Sequence, residues 1–156
     1  MTELTKATLA DIPAMQQLVS EEVASGVILA RSDDEIATNI RSYVLAKQSG
    51  YLVGYTALHI HSPRMAEVRS LIVAPDFRGQ AIGQQMVAFA LDEAASLGVA
   101  EVLALTYVPD FFRRMDFVEI DKESIPEQKI WTDCIGCVHF PVCNEVALVY
   151  AIHPKG

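Results

Sequence analysis

The sequence predicts an α/β (α+β) domain built on a single mixed, mostly antiparallel central sheet, and three observations predict it. The first is the order of the periodic segments: a strand, two helices, three strands joined by short turns, a long helix, a strand, a short helix and further strands. The second is an apolar run, Ser70-Leu71-Ile72-Val73, that leads through a glycine-containing turn straight into a helical pattern. The third is size. With 156 residues and no repeat, low-complexity segment or linker, residues 1–156 read as one domain, large enough to bury a core without disulfides or metals.

Each element has its own signal. A short strand is expected over residues 4–9. Asp11 is a plausible N-cap, with Pro13 in the first turn and Ile12, Met15, Leu18, Val19 and Val23 on one helical face before Gly26. Ser32-Asp-Asp-Glu35 has the spacing of a capping box and starts a short helix carrying Ile36 and Ile40. Residues 43–46 and 51–60 read as a hairpin around Lys47-Gln-Ser-Gly50, and the turn at Ser62-Pro63-Arg64 leads into a third strand, 65–73. The long helix carries Met86, Val87, Ala90, Leu91, Ala94 and Leu97 at helical spacing and stops at Gly98. After it come a buried-type strand at 101–106, a short helix at 109–115, a strand from Phe117 and a last strand at 146–152.

Composition narrows the partners. A formal charge of −8 disfavours nucleic acid and anionic membrane, because either needs clustered Lys and Arg. No apolar run approaches the ~18 residues that span a bilayer. The start, Met1-Thr-Glu-Leu-Thr-Lys, lacks the basic and apolar regions of a signal peptide, so a soluble, cytoplasmic protein is expected. An anionic ligand must then be held locally, by loop amides and single arginines.

The stretch Val73-Ala-Pro-Asp-Phe-Arg-Gly-Gln-Ala-Ile-Gly83 is built for such a ligand. Successive N–H groups in the turn, added to the positive end of the helix macrodipole, favour a phosphate or pyrophosphate, and Arg78 adds a fork of donors. The P-loop pattern needs a Lys-Ser/Thr pair, and the dinucleotide pattern needs three glycines where only Gly79 and Gly83 stand. The stretch resembles instead the Arg/Gln-x-x-Gly-x-Gly/Ala loop of the GNAT family of N-acetyltransferases, with Arg78, Ala81 and Gly83 at the motif positions. A plain strand-to-helix turn with an incidental arginine is the bland alternative. Ala81 departs from the pattern, since the family usually has glycine there and a Cβ resists positive φ.

The resemblance implies helices on both faces of the sheet and acetyl-CoA as cofactor. Its pyrophosphate would rest on the loop of Arg78, Gly79, Gln80, Ala81, Ile82, Gly83 and Gln84. The strands before and after the long helix would splay to admit pantetheine, with the backbone of Leu71, Ile72 and Val73 bonding that arm and polarising the thioester. A tyrosine after the fifth strand serves many members as the acid for the leaving thiolate. The segment Phe111-Phe-Arg-Arg-Met-Asp-Phe117 aligns there, with Phe112 in the tyrosine's place and Phe111 and Phe112 as walls against cofactor or core. Tyr107 is the nearest substitute, or else a half-buried aromatic.

Acetyl transfer to an amine needs a base for the ammonium proton. Glu67 is the candidate, and period-two alternation puts Glu67, Arg69 and Leu71 on one face of their strand. Arg69, with Ser70 beside it, would clamp a substrate carboxylate. An internal Glu67–Arg69 ion pair is the structural alternative. Arg41 and Lys129 could add an anionic contact or could be ordinary solvated charges.

The stretch Trp131-Thr-Asp-Cys-Ile-Gly-Cys-Val-His-Phe-Pro-Val-Cys-Asn-Glu145 holds every cysteine. Cys134, Cys137, His139 and Cys143 could form a tetrahedral zinc set, but their close spacing makes the signal weak, and packed thiols are the alternative. With the Glu-x-x-Ser-Leu-x-Val strand and the Phe-Phe-Arg-Arg-x-x-Phe segment, this arrangement resembles the short bacterial amino-acid N-acetyltransferases of the N-acetylglutamate synthase type. That implies L-glutamate as the small-molecule substrate, a role in arginine biosynthesis and room for a homodimer through the C-terminal strand. It also implies no space for the arginine-sensing domain of larger members. Acetylation of glutamine or a protein N-terminus, a catalytically idle acyl-CoA sensor and a zinc-dependent interaction protein stay open as rivals.

Overall fold

The computed structural model describes residues 2–26, 28, 30–121 and 146–152. Its strands are β1 (Glu3–Lys6), β2 (Tyr43–Gln48), β3 (Tyr51–Ile60), β4 (Met65–Val73), β5 (Glu101–Thr106), β6 (Val118–Ile120) and β7 (Val146–Ala151). They form one sheet in the order β1-β2-β3-β4-β5-β7-β6. Among the described strands only β4 and β5 run parallel, so the sheet is mixed and mostly antiparallel. Helices α1 (Ile12–Ala24) and α2 (Asp33–Thr38) cover one face, α3 (Ile82–Leu97) covers the other, and the short α4 (Pro109–Arg113) follows β5.

Period-two alternation builds the two faces. Tyr43 and Leu45 of β2 and Tyr55 and Ala57 of β3 pack against Ile12, Met15, Val19 and Ile36 of α1 and α2. Their neighbours Val44, Ala46 and Val53 pack against Ile82 and Met86 of α3. Further along, Ala66 and Val68 of β4 and Val102 and Ala104 of β5 meet Val87, Ala90 and Ala94. Leu97, expected on that helical face, is 61% exposed as the last residue of α3, which Gly98 ends at φ 87°.

Several boundaries differ from expectation for local reasons. Residues 9–11 fold into a 3₁₀ turn that ends β1 early, and the Asp11 carboxylate turns back to accept from the Thr8 N–H at 2.8 Å instead of capping α1. Partial burial pushes that carboxyl's pKa up. The Thr8 N–H and the Lys47 ammonium, 3.1 Å away, outweigh it and hold the group below the usual carboxylate range. The Ser32–Glu35 capping box forms, but α2 ends at Thr38 and leaves Ile40 outside it. The β2–β3 turn is tighter than expected, with Ser49 and Gly50 at φ 52° and 81° and β2 running on to Gln48.

β4 carries the two irregularities that matter for function. Pairing with β5 stops at Val68↔Ala104, while β4 continues to Val73, so residues 69–73 leave β5 and a splay opens between the strands. On the other edge, Ala57 pairs with Arg69 and Tyr55 with Ile72, so Thr56 stands opposite both Ser70 and Leu71. This is a β-bulge with one extra residue in β4, and Ser70 absorbs it at φ 55°. Thr56, fully buried, donates its hydroxyl to the Arg69 carbonyl at 2.9 Å and steadies the bulge. Alternation is thereby shifted. Leu71 packs with the α3 side and Ile72 with Tyr43 and Tyr55 on the α1 side, so Leu71 does not share a face with Glu67 and Arg69 as strict period two predicted.

Candidate active site

The loop after β4 is shaped by its backbone. Pro75–Phe77 make a 3₁₀ turn, Gly79 sits at φ 87°, and Ala81 precedes α3 at φ 61° and ψ 20°. The left-handed position is therefore present and an alanine occupies it, at a cost of roughly 1–2 kcal/mol relative to an ordinary conformation. The first-turn amides of Ile82, Gly83 and Gln84 have no acceptor within their own helix, as at any helix N-terminus. Arg78, Gly79, Gln80, Ala81 and Gln84 are exposed around them. Space is open here: a Cβ added at Gly79 would meet nothing within 4 Å.

The side chains of the loop are engaged with the protein. Arg78 donates through Nε to the Val73 carbonyl at 3.1 Å and through Nη2 to Glu22 at 3.4 Å, and Gln48 donates to the Gln80 side chain at 3.0 Å. The Phe111 ring covers Gly83, with two ring carbons 3.4 Å from where a Cβ would stand. Phe112 lies in the core, only 3% exposed and edge-on to Phe111 and Phe117 at 5.0 and 5.1 Å. Ile72 and Ile82 are equally core residues, so beside the loop they can offer only backbone groups. Tyr107 is half-buried just beyond the end of β5.

On the α1 side of the bulge lies a small, solvent-open pocket. Arg69 and Ser70 of β4, Ala57 and His59 of β3 and Tyr43 of β2 form its floor, and Arg31, Glu35, Asn39 and Ser42 its rim. Burial pushes the Tyr43 phenol up, and the nearby Arg31 and Arg69 charges pull it back only in part, so it stays protonated at neutral pH. Glu67 does not line the pocket. It is 3% exposed, and its Oε1 accepts from Arg69 Nε at 2.8 Å and lies 2.9 Å from His61 Nε2. The ion pair weighed from the sequence is thus present.

The pocket and the loop sit at the two ends of the splayed half of β4, the pocket at Arg69 and Ser70 and the loop beyond Val73. An anionic tail could lie on the amides of α3 while the strand edge of residues 69–73 guides an arm toward the bulge. Residues 12–119 match the family described as the Acetyltransferase (GNAT) family.

The chain belongs to that family.

As a GNAT domain it is an N-acetyltransferase, and acetyl-CoA is the cofactor whose parts the splay, the α3 amides and the open space at Gly79 fit. It is 37% identical over 148 residues to an uncharacterized N-acetyltransferase of Chlorobaculum tepidum, covering 95% of each chain. It is 30% identical over 119 residues to an amino-acid acetyltransferase of Mycobacterium tuberculosis, covering 74% of this chain and 68% of that one. Several other amino-acid acetyltransferases that it matches are longer, and it spans only 29% or 28% of their length. In fold it is similar to N-acetylglutamate synthase from Neisseria gonorrhoeae complexed with coenzyme A and N-acetylglutamate. The TM-score is 0.87 at 22% identity, over 98% of this chain and 35% of that one.

Sequence reasoning passed over three residues that stand at the pocket or directly behind it. Arg31 stands in the segment between α1 and α2, with Nη1 3.8 Å from Glu35, and lines the pocket, whereas Arg41 is exposed and outside it. His59 and His61 were readable as a His-x-His alternation in β3, but only the register that sets His59 opposite Glu67 gives them meaning. Lys129 and the set of Cys134, Cys137, His139 and Cys143 lie outside the described residues. No group of three or more metal-ligating side chains occurs among the described ones. No helix of the described residues is long and apolar enough to cross a membrane.

Proposed function

We propose that this domain acetylates the α-amino group of an amino acid, with L-glutamate as the substrate and N-acetyl-L-glutamate as the product, a step of cytoplasmic arginine biosynthesis. The observation that carries the reading is the presence of two guanidiniums, Arg31 and Arg69, in one pocket beside the bulge. An amino acid with two carboxylates suits two arginines, because bidentate charge-assisted pairs hold both position and orientation. Glu67 accepts from Arg69 Nε at 2.8 Å and fixes the plane of the guanidinium. Ser70, held at positive φ, adds a hydroxyl at the junction of pocket and splay. The name of the mycobacterial relative, an amino-acid acetyltransferase of similar length, supports the same substrate class.

The mechanism is direct attack within a ternary complex. Acetyl-CoA, when bound, supplies an activated acyl group. The loop amides of residues 82–84 hold its anionic tail, Phe111 walls the start of α3, and the edge of residues 69–73 orients the arm toward Ser70. Arg69 and Arg31 fix the amino acid so that its nitrogen faces the bulge. Glu67, read from the sequence as the base, is buried behind Arg69 and serves this reading by fixing the guanidinium.

Thiol release measured over a panel of glutamate, glutamine, aspartate and a peptide with a free N-terminus tests the assignment. Glutamate is expected to exceed glutamine at least ten-fold in kcat/KM, and equal rates would sink the choice of glutamate. Ala81 and the core position of Phe112 favour one other reading, an idle acyl-CoA-binding module. That reading would show stoichiometric coenzyme A binding with no thiol released from any amine.

A further inference from the structure

We propose that His59 is the base that takes the proton from the substrate ammonium, with His61 and Glu67 as positioning residues behind it. The proposal rests on the amino-acid acetyltransferase reading and deepens it.

Few of the titratable groups around the pocket could accept a proton from an amine placed there. Arg31 and Arg69 are cations, and the Tyr43 phenol keeps its proton because burial outweighs the two arginines. Glu35 stands at the rim with its side chain 53% exposed, its Oε1 accepting from the Ser32 N–H at 3.3 Å and its Oε2 facing Arg31. Glu67 is buried below the floor, its Oε1 accepting from Arg69 Nε and lying 2.9 Å from His61 Nε2. The His59 imidazole is what remains, and it lines the pocket beside Arg69 and Ser70, where β4 begins to leave β5.

What surrounds His59 suits a base. Its ring meets the His61 ring edge-on with centroids 4.7 Å apart, and His61 is fixed in turn by its 2.9 Å contact to Glu67. Arg31 and Arg69 would by themselves oppose an imidazolium in this pocket. Each of the two is paired with a carboxylate, Arg69 with Glu67 on β4 and Arg31 with Glu35 on α2. Protons and electrons balance simply. The ammonium gives one proton to His59, the freed lone pair forms the C–N bond as the C–S bond breaks, and the sulfur leaves with the electron pair. A second proton from nitrogen ends on the thiolate, and His59 returns the first to solvent.

The test compares wild type, His59→Gln and Glu67→Gln in thiol release on glutamate across pH, with acetyl-CoA saturating. General base catalysis is worth about 10²–10⁴-fold, so His59→Gln is expected to lower kcat/KM by about 10²-fold or more. It should also remove the limb that rises with pH, with the KM for acetyl-CoA within about three-fold of wild type. Retention of that limb in His59→Gln, or its loss in Glu67→Gln alone, overturns the proposal.

A second measurement needs no variant. In wild type followed by NMR, bound glutamate should move the His59 titration to lower pH by repulsion from its ammonium, and glutarate, which lacks the nitrogen, should not. Equal shifts, or none with either, overturn the proposal. A wild-type enzyme that acetylates no amino acid of the panel fails the functional reading itself, a result distinct from an active enzyme indifferent to His59.

Discussion

The loop that follows β4 and the pocket beside its bulge lie at the two ends of one splayed strand and are built by opposite means. In the loop the working groups are backbone amides, set by Gly79 and Ala81 in left-handed conformations, and the side chains around them are exposed. In the pocket the groups presented are side chains, and Arg69 and His59 are joined behind it by a run of contacts: Arg69 to Glu67, Glu67 to His61, and the His61 ring to the His59 ring. A site made of main chain tolerates side-chain change. A site made of interlocked charges does not, because removing one partner strands the next in a poorly solvated place.

Substitutions can break or sharpen this contrast. The largest effect is expected from Glu67→Gln, which leaves the Arg69 guanidinium without its buried counter-charge. Losing one partner of such a pair costs about 3–5 kcal/mol, and a kilocalorie shifts the melting point of a domain this size by about 2–4 °C. A thermal melt should therefore drop by roughly 6 °C or more. A drop under about 2 °C would place the pair with exposed ones, worth ~0–1 kcal/mol, and erase the distinction.

Arg31→Ala comes next. One charge-assisted contact at a partly exposed rim, worth about 1.4 kcal/mol, corresponds to a ten-fold rise in KM for glutamate. The KM for acetyl-CoA and the KM for glutamine should change much less. Equal losses on glutamate and glutamine would show that Arg31 does not read the second carboxylate.

Arg78→Ala should be milder, raising the KM for acetyl-CoA about three- to five-fold with kcat unchanged, because exposed ion pairs contribute under about 1 kcal/mol. A larger effect than that of Arg31→Ala would mean the loop too depends on a side chain.

The smallest effect belongs to Ala81→Gly. It relieves the left-handed strain while loosening the unfolded chain, so the net gain is about 0.5–1 kcal/mol. A melting point higher by a few degrees, with slightly tighter coenzyme A binding, is the expected result.

The same contrast governs what was legible in the sequence. The loop could be read because its signal is local: a strand, Gly79, Arg78 and a helical repeat within a few turns of chain. The helix faces of α1 and α3 followed from periodicity, and Ser32 and Glu35 announced their capping box. The pocket could be read only in part. Glu67 and Arg69 are two residues apart and form the pair their spacing allowed, but His59 reaches them through strand register and Arg31 through the packing of α1 and α2. Bulge position is harder still, since nothing in Arg69-Ser70-Leu71 distinguishes a strand with an extra residue from a regular one.

That extra residue makes β4 a strand with two phases. Up to Arg69 its odd-numbered side chains stand on the face of the sheet that carries the pocket, whereas from Leu71 onward the odd ones look toward α3. Removing a single residue at the bulge would merge the phases. Leu71 and Ile72 would keep their sides, because Ile72 would still pair with Tyr55, but the Ser70 hydroxyl would be lost from the pocket. Flattening the bulge with every residue kept would instead turn Leu71 toward the pocket and Ile72 toward α3. The facing of β4 on the two sides of the bulge is therefore tied to one extra residue between Glu67 and Val73, so an added residue in that segment should be tolerated far less well than an exchange of side chain.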